Sequence, residues 1–414
     1  MNVTKGENLA SYDAAGLETL KRIGGRDWEA GIGPLMRVSP VMAQMTVDFA
    51  YGDVLSRHGL DLHARQCCTI AMLLVNGSAT AQLRFHINGL LNVGGTVDDV
   101  VELLVVAAAL AGFPAAIGSI GVLRSVIAER GTDIPTRSAT AVADDRHAQG
   151  VAAIRGLVGC SPEDYTAAFG TLSPVFADLS VRFEFGDVLG RSALPRTILH
   201  LVVIAMLAAA GNRVDLLRHH MAGALADAVT TEEIGEVLIQ LSVYAGFPAA
   251  LNAFNVLAAA EPSAPSDAPE GNHLASTDPD RRSIGLATLR ASSGASGDAV
   301  VRSFDDIAPA LGAMIVDHAY GEIFSNEDLD PLLRELAAIA TIAAKMSEVN
   351  TGPLGVHIAA GLNLGATHAQ ILRTIENIAP YSGYPTVQRA LSIAAQTLMG
   401  DVRQPPSVPS AKPR

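Results

Sequence analysis

Three histidines, His86, His220 and His357, stand at matching places along the chain. His86 and His220 each lie 34 residues after the glycine of an aromatic-Gly-acid triplet (Tyr51-Gly52-Asp53 and Phe185-Gly186-Asp187), and His357 lies 36 after that of Tyr320-Gly321-Glu322. Imidazole is the side chain best suited to exchange protons near neutral pH, although a buried histidine bonded to backbone would also recur in a duplicated fold. Two carboxylates keep the same register. Glu102 and Glu236 each lie past the first turn of a long apolar helix, where a carboxylate must be paired, protonated or turned to solvent near the helix N-terminus. Either of the first two states serves proton transfer. Arg65 and Arg334 lead into an apolar run, where the second copy has Leu199. Such an arginine is a plain surface residue or a fixed cation for a substrate carboxylate. His219 and His220 cannot point the same way on one helix, and no further ligand set stands near them, so no metal is expected.

The elements that must position these groups repeat as well. Gly112-Phe113-Pro114, Gly246-Phe247-Pro248 and Gly383-Tyr384-Pro385 recur at spacings of 134 and 137 residues. That period is the size of a small domain, not of a solenoid repeat. The copies span 11–130, 147–260 and 281–400; the Pro-rich 261–280 reads as a linker and the Pro/Ser-rich 404–414 as a disordered tail. Each copy carries a capping-box signal before its long helix, at Thr96-Val97-Asp98-Asp99, Thr230-Thr231-Glu232-Glu233 and Thr367-His368-Ala369-Gln370. No run alternates with period two, so the expected fold is all-α, with about six helices per copy.

Composition narrows the partners. Apolar residues make up 49% and charged residues 17%, which suits large buried surfaces between copies. The net charge of −13, without a Lys/Arg-rich run, disfavours nucleic acid and anionic membranes. The start lacks a signal-peptide core, and a cytoplasmic protein is expected. The uncharged stretch 103–123 has the length of a membrane span, but Gly112-Phe113-Pro114 interrupts it, and a helix–break–helix is expected. Cys67, Cys68 and Cys160 form no C-x-x-C pair, which argues against a disulfide framework or zinc site.

The stretches Phe49–Arg57 and Phe183–Arg191, the run Leu217-Arg218-His219-His220, the Thr230 cap, Glu236 and the segment Ser242–Ala253 resemble the carboxymuconolactone decarboxylase family, and the three copies carry the resemblance over nearly the whole chain. The resemblance implies three tandem helical domains forming a pseudo-trimer, sites between neighbouring copies, and a homodimer built like the family's hexamers. It implies decarboxylation or isomerisation of a small organic acid or unsaturated lactone, without metal or organic cofactor. By position, His86 with Glu102 and His220 with Glu236 would move protons, with His357 as the third copy's counterpart. Arg65 and Arg334 would hold carboxylate. Asp53, Asp187, Tyr51 and Tyr244 would line and orient the site. The third copy departs from the pattern, with Arg373 at the position of the two glutamates and Pro380 inside the long helix. The family's peroxidase branch needs a C-x-x-C pair and is not expected here. Two other readings remain: a non-catalytic binding or assembly protein, and a thiol-redox role for Cys67 or Cys160.

Overall fold

The structure, a computed structural model, describes residues 11–77, 79–132, 145–167, 170–260, 279–302, 304–305, 308–326, 328–345, 351–382 and 384–401. The expected tail 404–414, Gly383 and all but the last two residues of the expected linker 261–280 lie outside the described residues. The described residues are helical throughout, without a strand. Copy 1 contains α1 (Ala14–Gly24), α2 (Glu29–Val38), α3 (Pro40–Met45), a π-helix (Thr46–Leu55), α4 (Leu62–Asn76), α5 (Thr80–Asn92), α6 (Val97–Leu110) and α7 (Phe113–Arg130). Copy 2 repeats this with α8 (Arg146–Leu157), α9 (Pro162–Thr166), α10 (Pro174–Leu179), a π-helix (Ser180–Val188), α11 (Arg196–Ala210), α12 (Val214–Ala226), α13 (Thr231–Tyr244) and α14 (Phe247–Ala260). Copy 3 has α15 (Pro279–Arg302), α16 (Pro309–Met314), a π-helix (Ile315–Phe324), α17 (Pro331–Ala344), α18 (Thr351–Asn363), α19 (His368–Glu376), α20 (Ala379–Ser382) and α21 (Tyr384–Asp401).

The aromatic-Gly-acid triplet lies on the π-helix in every copy, a form that is rare and often placed at functional sites. Its aromatic residue, Tyr51, Phe185 or Tyr320, is buried. The opening helix crosses the π-helix so closely that a Cβ on Gly16, Gly150 or Gly285 would collide with the carbonyl oxygen of Val47, Val181 or Val316. Only glycine permits that crossing. All three capping boxes form as the sequence predicts. In copy 3 the long helix ends at Glu376, and a short turn of helix carries Pro380, because proline cannot continue the hydrogen-bond ladder. The stretch 103–123 is divided between α6 and α7, and among the described residues no helix is long and apolar enough to cross a membrane.

The three copies make two compact units, Met1–Ser266 and Asp267–Arg414. Copies 1 and 2 share the N-terminal unit because α4 packs against α11, its own counterpart. Contacts come in exchanged pairs: Phe49 meets Phe247 with ring centroids 5.8 Å apart, and the matching Phe183 meets Phe113 at 5.5 Å. Such reciprocity defines a pseudo-two-fold axis, the isologous arrangement of a homodimer written into one chain.

Candidate active site

The pseudo-axis brings α13 of copy 2 against α4 and the end of the first π-helix. Glu236, on the buried face of α13, is thereby placed between two arginines of copy 1. Arg57 donates from Nη2 to Oε1 at 2.8 Å, and from Nε to both carboxylate oxygens at 3.1 Å. Arg65, fully buried, donates from Nη2 to Oε2 at 2.8 Å and to the carbonyls of Arg57 and His58 at 2.9 and 3.2 Å. Gln240, one turn along α13, donates to the Arg65 carbonyl and the Thr69 hydroxyl, both at 2.8 Å. Two guanidinium groups against one carboxylate leave this buried cluster with one net positive charge. Arg57 Nη1 and Arg65 Nε are buried there without a hydrogen-bond partner. Buried donors without acceptors are costly, so the cluster favours an added anion. Gly59 makes room for Glu236: its φ is +97°, and a Cβ there would stand 2.8 Å from Glu236 Cγ.

Two turns beyond Glu236, Tyr244 leads from this cluster to His86. The Tyr244 hydroxyl lies 3.5 Å from His86 Nε2, a long contact that a ligand would have to tighten, and the rings meet edge to face at 5.6 Å. His86 Nδ1 lies 2.9 Å from Gln66 Oε1, so with this amide orientation Nδ1 carries the proton and Nε2 offers its lone pair to Tyr244. Burial pushes the His86 imidazole down to about 3, which keeps it neutral. Burial also pushes the Tyr244 phenol up, while the Thr69 hydrogen bond and the Arg65 cation pull it back. Tyr51 belongs to the copy 1 core, and its phenol, raised by burial, is raised further by Tyr244.

The exchanged site on the other side of the axis differs. Glu102 accepts from the Ser192 hydroxyl at 3.3 Å and the Ala193 N–H at 3.1 Å. Leu199 stands where copy 1 has Arg65. A cavity of about 350 Å³ opens nearby, lined in part by Arg191, Ser192, Leu194 and Leu199. His220 stacks on Phe185 with ring centroids 6.1 Å apart, its Nε2 has no partner, and burial first, then His200 and His219, push it down to about 3. In the C-terminal unit His357 Nδ1 pairs with buried Glu335 at 2.7 Å. Arg334 donates to the Asn326 carbonyl at 2.7 Å, as Arg65 does to Arg57, and its Nε is unpartnered.

The sequence-derived pairing of His with Glu inside one copy is corrected by this arrangement. The carboxylate on the polar chain leading to His86 is Glu236 of copy 2, and Glu102 of copy 1 reaches copy 2 instead. Two exchanged contacts, α13 on α4 and α6 on α11, produce that crossing. Asp53 is half-buried on its π-helix, while Asp187 is taken up by Arg146 of α8, with Nε 2.9 Å from Oδ1. Sequence reasoning missed Arg57, Thr69, Gln240 and the residue after each central-helix arginine position: Gln66, His200 and Glu335. A polar residue recurring inside an otherwise apolar run is the signal that would have found the last three. Burial pushes the Cys67 thiol up and that of Cys68 to about 12, so neither offers a thiolate.

Comparison with known proteins gives the family. The profile of the carboxymuconolactone decarboxylase family matches residues 40–125, 174–259 and 309–396, once in each copy. A 4-carboxymuconolactone decarboxylase of Acinetobacter baylyi is 42% identical over 74 residues, 18% of this chain and 54% of that protein. The chain thus spans about half the length of that relative. An uncharacterised 15.0 kDa protein of Paracoccus denitrificans is 29% identical over 94 residues, covering 23% of this chain and 69% of that protein. With the profile matched in all three copies and more than half the chain covered, the protein belongs to the carboxymuconolactone decarboxylase family.

Proposed function

We propose that the chain is a cofactor-independent carbon–carbon lyase or isomerase. Its substrate is an unsaturated lactone acid or a related polyketide-like acid, and its active site is the one shared by Arg57, Arg65, Glu236, Tyr244 and His86. The observation that carries this reading is the net positive, buried Arg57–Arg65–Glu236 cluster with two unsatisfied donors. Such donors stabilise charge that develops on a substrate oxygen in a water-poor site. In decarboxylation the bond from the substrate carbon to its carboxylate breaks and carbon dioxide leaves. The electron pair passes into the conjugated lactone, whose oxygen becomes an enolate. The arginine donors hold that oxygen. When substrate is bound the Tyr244 O–H turns from the long contact with His86 Nε2 to the carbanionic carbon and gives it that proton, the Arg65 cation lowering the cost of the transient phenolate. Water returns the proton after product leaves. In isomerisation the same pair would remove a proton from one carbon and return it to another.

The test is turnover of 4-carboxymuconolactone and a panel of unsaturated lactone acids, read as carbon dioxide release and product mass. Arg65→Met and Tyr244→Phe should each reduce turnover by about a hundredfold or more, the scale of one lost transition-state donor. Variants that fold and retain the wild-type rate would refute this assignment of the site.

A further inference from the structure

The cavity of about 350 Å³ in copy 2 opens between α8, the turn Leu189–Arg191 and the start of α11. Its floor is apolar, with Leu157, Leu194 and Leu199 all buried, while Gln149 and Ala152 stand exposed at the rim. Its volume falls at the small end of ligand pockets, which span roughly 300–1,000 Å³.

Three lining positions set copy 2 apart. Thr19, Ser56 and Arg65 of copy 1 recur as Thr288, Ser325 and Arg334 of copy 3, whereas copy 2 has Ala153, Gly190 and Leu199. In copies 1 and 3 the serine donates to the carbonyl of Gly52 or Gly321, and the arginine reaches back to the carbonyl of Arg57 or Asn326. Copy 2 lacks all three polar side chains at one place. Gly190 and Ala153 also depend on each other, because a Cβ on Gly190 would stand 2.9 Å from that of Ala153. What is left is a leucine floor facing water, which is unfavourable until something apolar covers it.

Charge decides what that can be. The two lining arginines are already answered: Arg191 lies 4.0 Å from Asp187, and Arg196 donates to Asp227 and to the Gly156 carbonyl. Glu102 brings a further carboxylate to the Ser192 wall. A ligand carboxylate would be desolvated there without a cation set aside for it, which is costly. We infer that this cavity is a second small-molecule site and that it takes an uncharged, largely apolar ring compound. The site shares no residue with the Arg57–Arg65–Glu236 cluster, and the inference does not depend on the chain being an enzyme. One scaffold position then sorts ligands by charge: Arg65 in copy 1 favours an anion, and Leu199 in copy 2 favours a neutral ring.

The probes are 4-bromophenol and 4-bromobenzoate, the same ring without and with a charge at neutral pH. Crystals of the full chain soaked in each locate the bromine by anomalous scattering. 4-Bromophenol should lie against Leu157 and Leu199, and 4-bromobenzoate should be absent from that cavity. Calorimetry should show saturable binding of 4-bromophenol, weakened about tenfold or more by Ala153→Leu, which fills the cavity. Should that variant not fold, Ala152→Phe at the exposed rim blocks the mouth and should weaken binding in the same way. Four results would each overturn the inference: bromophenol found only elsewhere, equal occupancy by bromobenzoate, binding at crystal concentration only, or undiminished binding to a folded filling variant.

Discussion

The carboxylate of Glu236 and the guanidinium of Arg65 belong to different copies of the repeat, and they meet at 2.8 Å with the arginine fully buried. Glu236 is the carboxylate of that cluster, so its loss leaves two guanidinium groups to face each other. Breaking one partner of a buried ion pair costs roughly 3–5 kcal/mol. Glu236→Gln should lower the stability of the N-terminal unit by about that amount. Glu102→Gln should cost less, because Glu102 is only half-buried and a glutamine Oε1 can still accept from Ser192 and the Ala193 N–H. Urea unfolding followed by Trp28, the single tryptophan, reads the N-terminal unit directly. Equal losses from the two variants would contradict the asymmetry between the exchanged sites.

Gly59 and Gly77 separate backbone strain from a clash at the site. Both have positive φ, +97° and +69°, but a Cβ on Gly77 meets nothing within 4 Å, whereas one on Gly59 meets Glu236. Gly77→Ala should cost about 1–2 kcal/mol from the left-handed backbone alone and leave turnover unchanged. Gly59→Ala should cost more and also reduce turnover by displacing Glu236. The pair of measurements is a melting curve and an initial rate on each variant.

Much of the fold was legible because it is written three times. The triplet, the capping boxes and the Gly-aromatic-Pro breaks mark backbone requirements that one sequence can state. The partition of the site was not legible, because it depends on which copy faces which. Glu236 looked like a partner for His220, 16 residues away on the same copy, until helix packing sent it across the pseudo-axis to Arg57 and Arg65. Arg57 lies at the end of a π-helix, where ordinary helical periodicity does not say which way a side chain faces. Leu199 was read as a missing arginine; the structure adds that Glu102 accepts from the Ser192 hydroxyl and the Ala193 N–H.

Acid should destabilise the protein in two stages. His86 and His220 are each pushed by burial from 6.5 to about 3, so the stability they contribute is full above pH 6.5 and is lost as pH falls toward 3. Glu184 acts in the opposite sense. Burial raises it from 4.5 to about 7, so its contribution is full below pH 4.5 and is lost as pH rises through 7. Between pH 6.5 and 4.5 the unfolded chain therefore binds a net one proton more through these groups, and stability should fall by about 1.4 kcal/mol per pH unit. Below 4.5 the two histidines act unopposed and the slope should approach about 2.7 kcal/mol per pH unit. His220→Gln should roughly halve the lower slope in urea titrations at stepped pH. An unchanged slope would mean that His220 does not remain neutral in the fold.

The closest backbone crossings offer a way to unfold one unit at a time. A methyl group on Gly150 would strike the Val181 carbonyl in copy 2, and one on Gly285 would strike the Val316 carbonyl in copy 3. Overpacking of this kind costs about 1–3 kcal/mol or more, because the obstacle is backbone and cannot rotate away. Gly150 lies in the N-terminal unit with Trp28, and Gly285 lies in the C-terminal unit, which contains no tryptophan. Gly150→Ala should therefore lower the transition seen by Trp28 fluorescence. Gly285→Ala should leave that transition in place and lower a second one visible only by far-ultraviolet circular dichroism. If Gly285→Ala instead shifts the Trp28 transition by the same amount, the two units unfold as one body, and their stability rests on contacts that neither supplies alone.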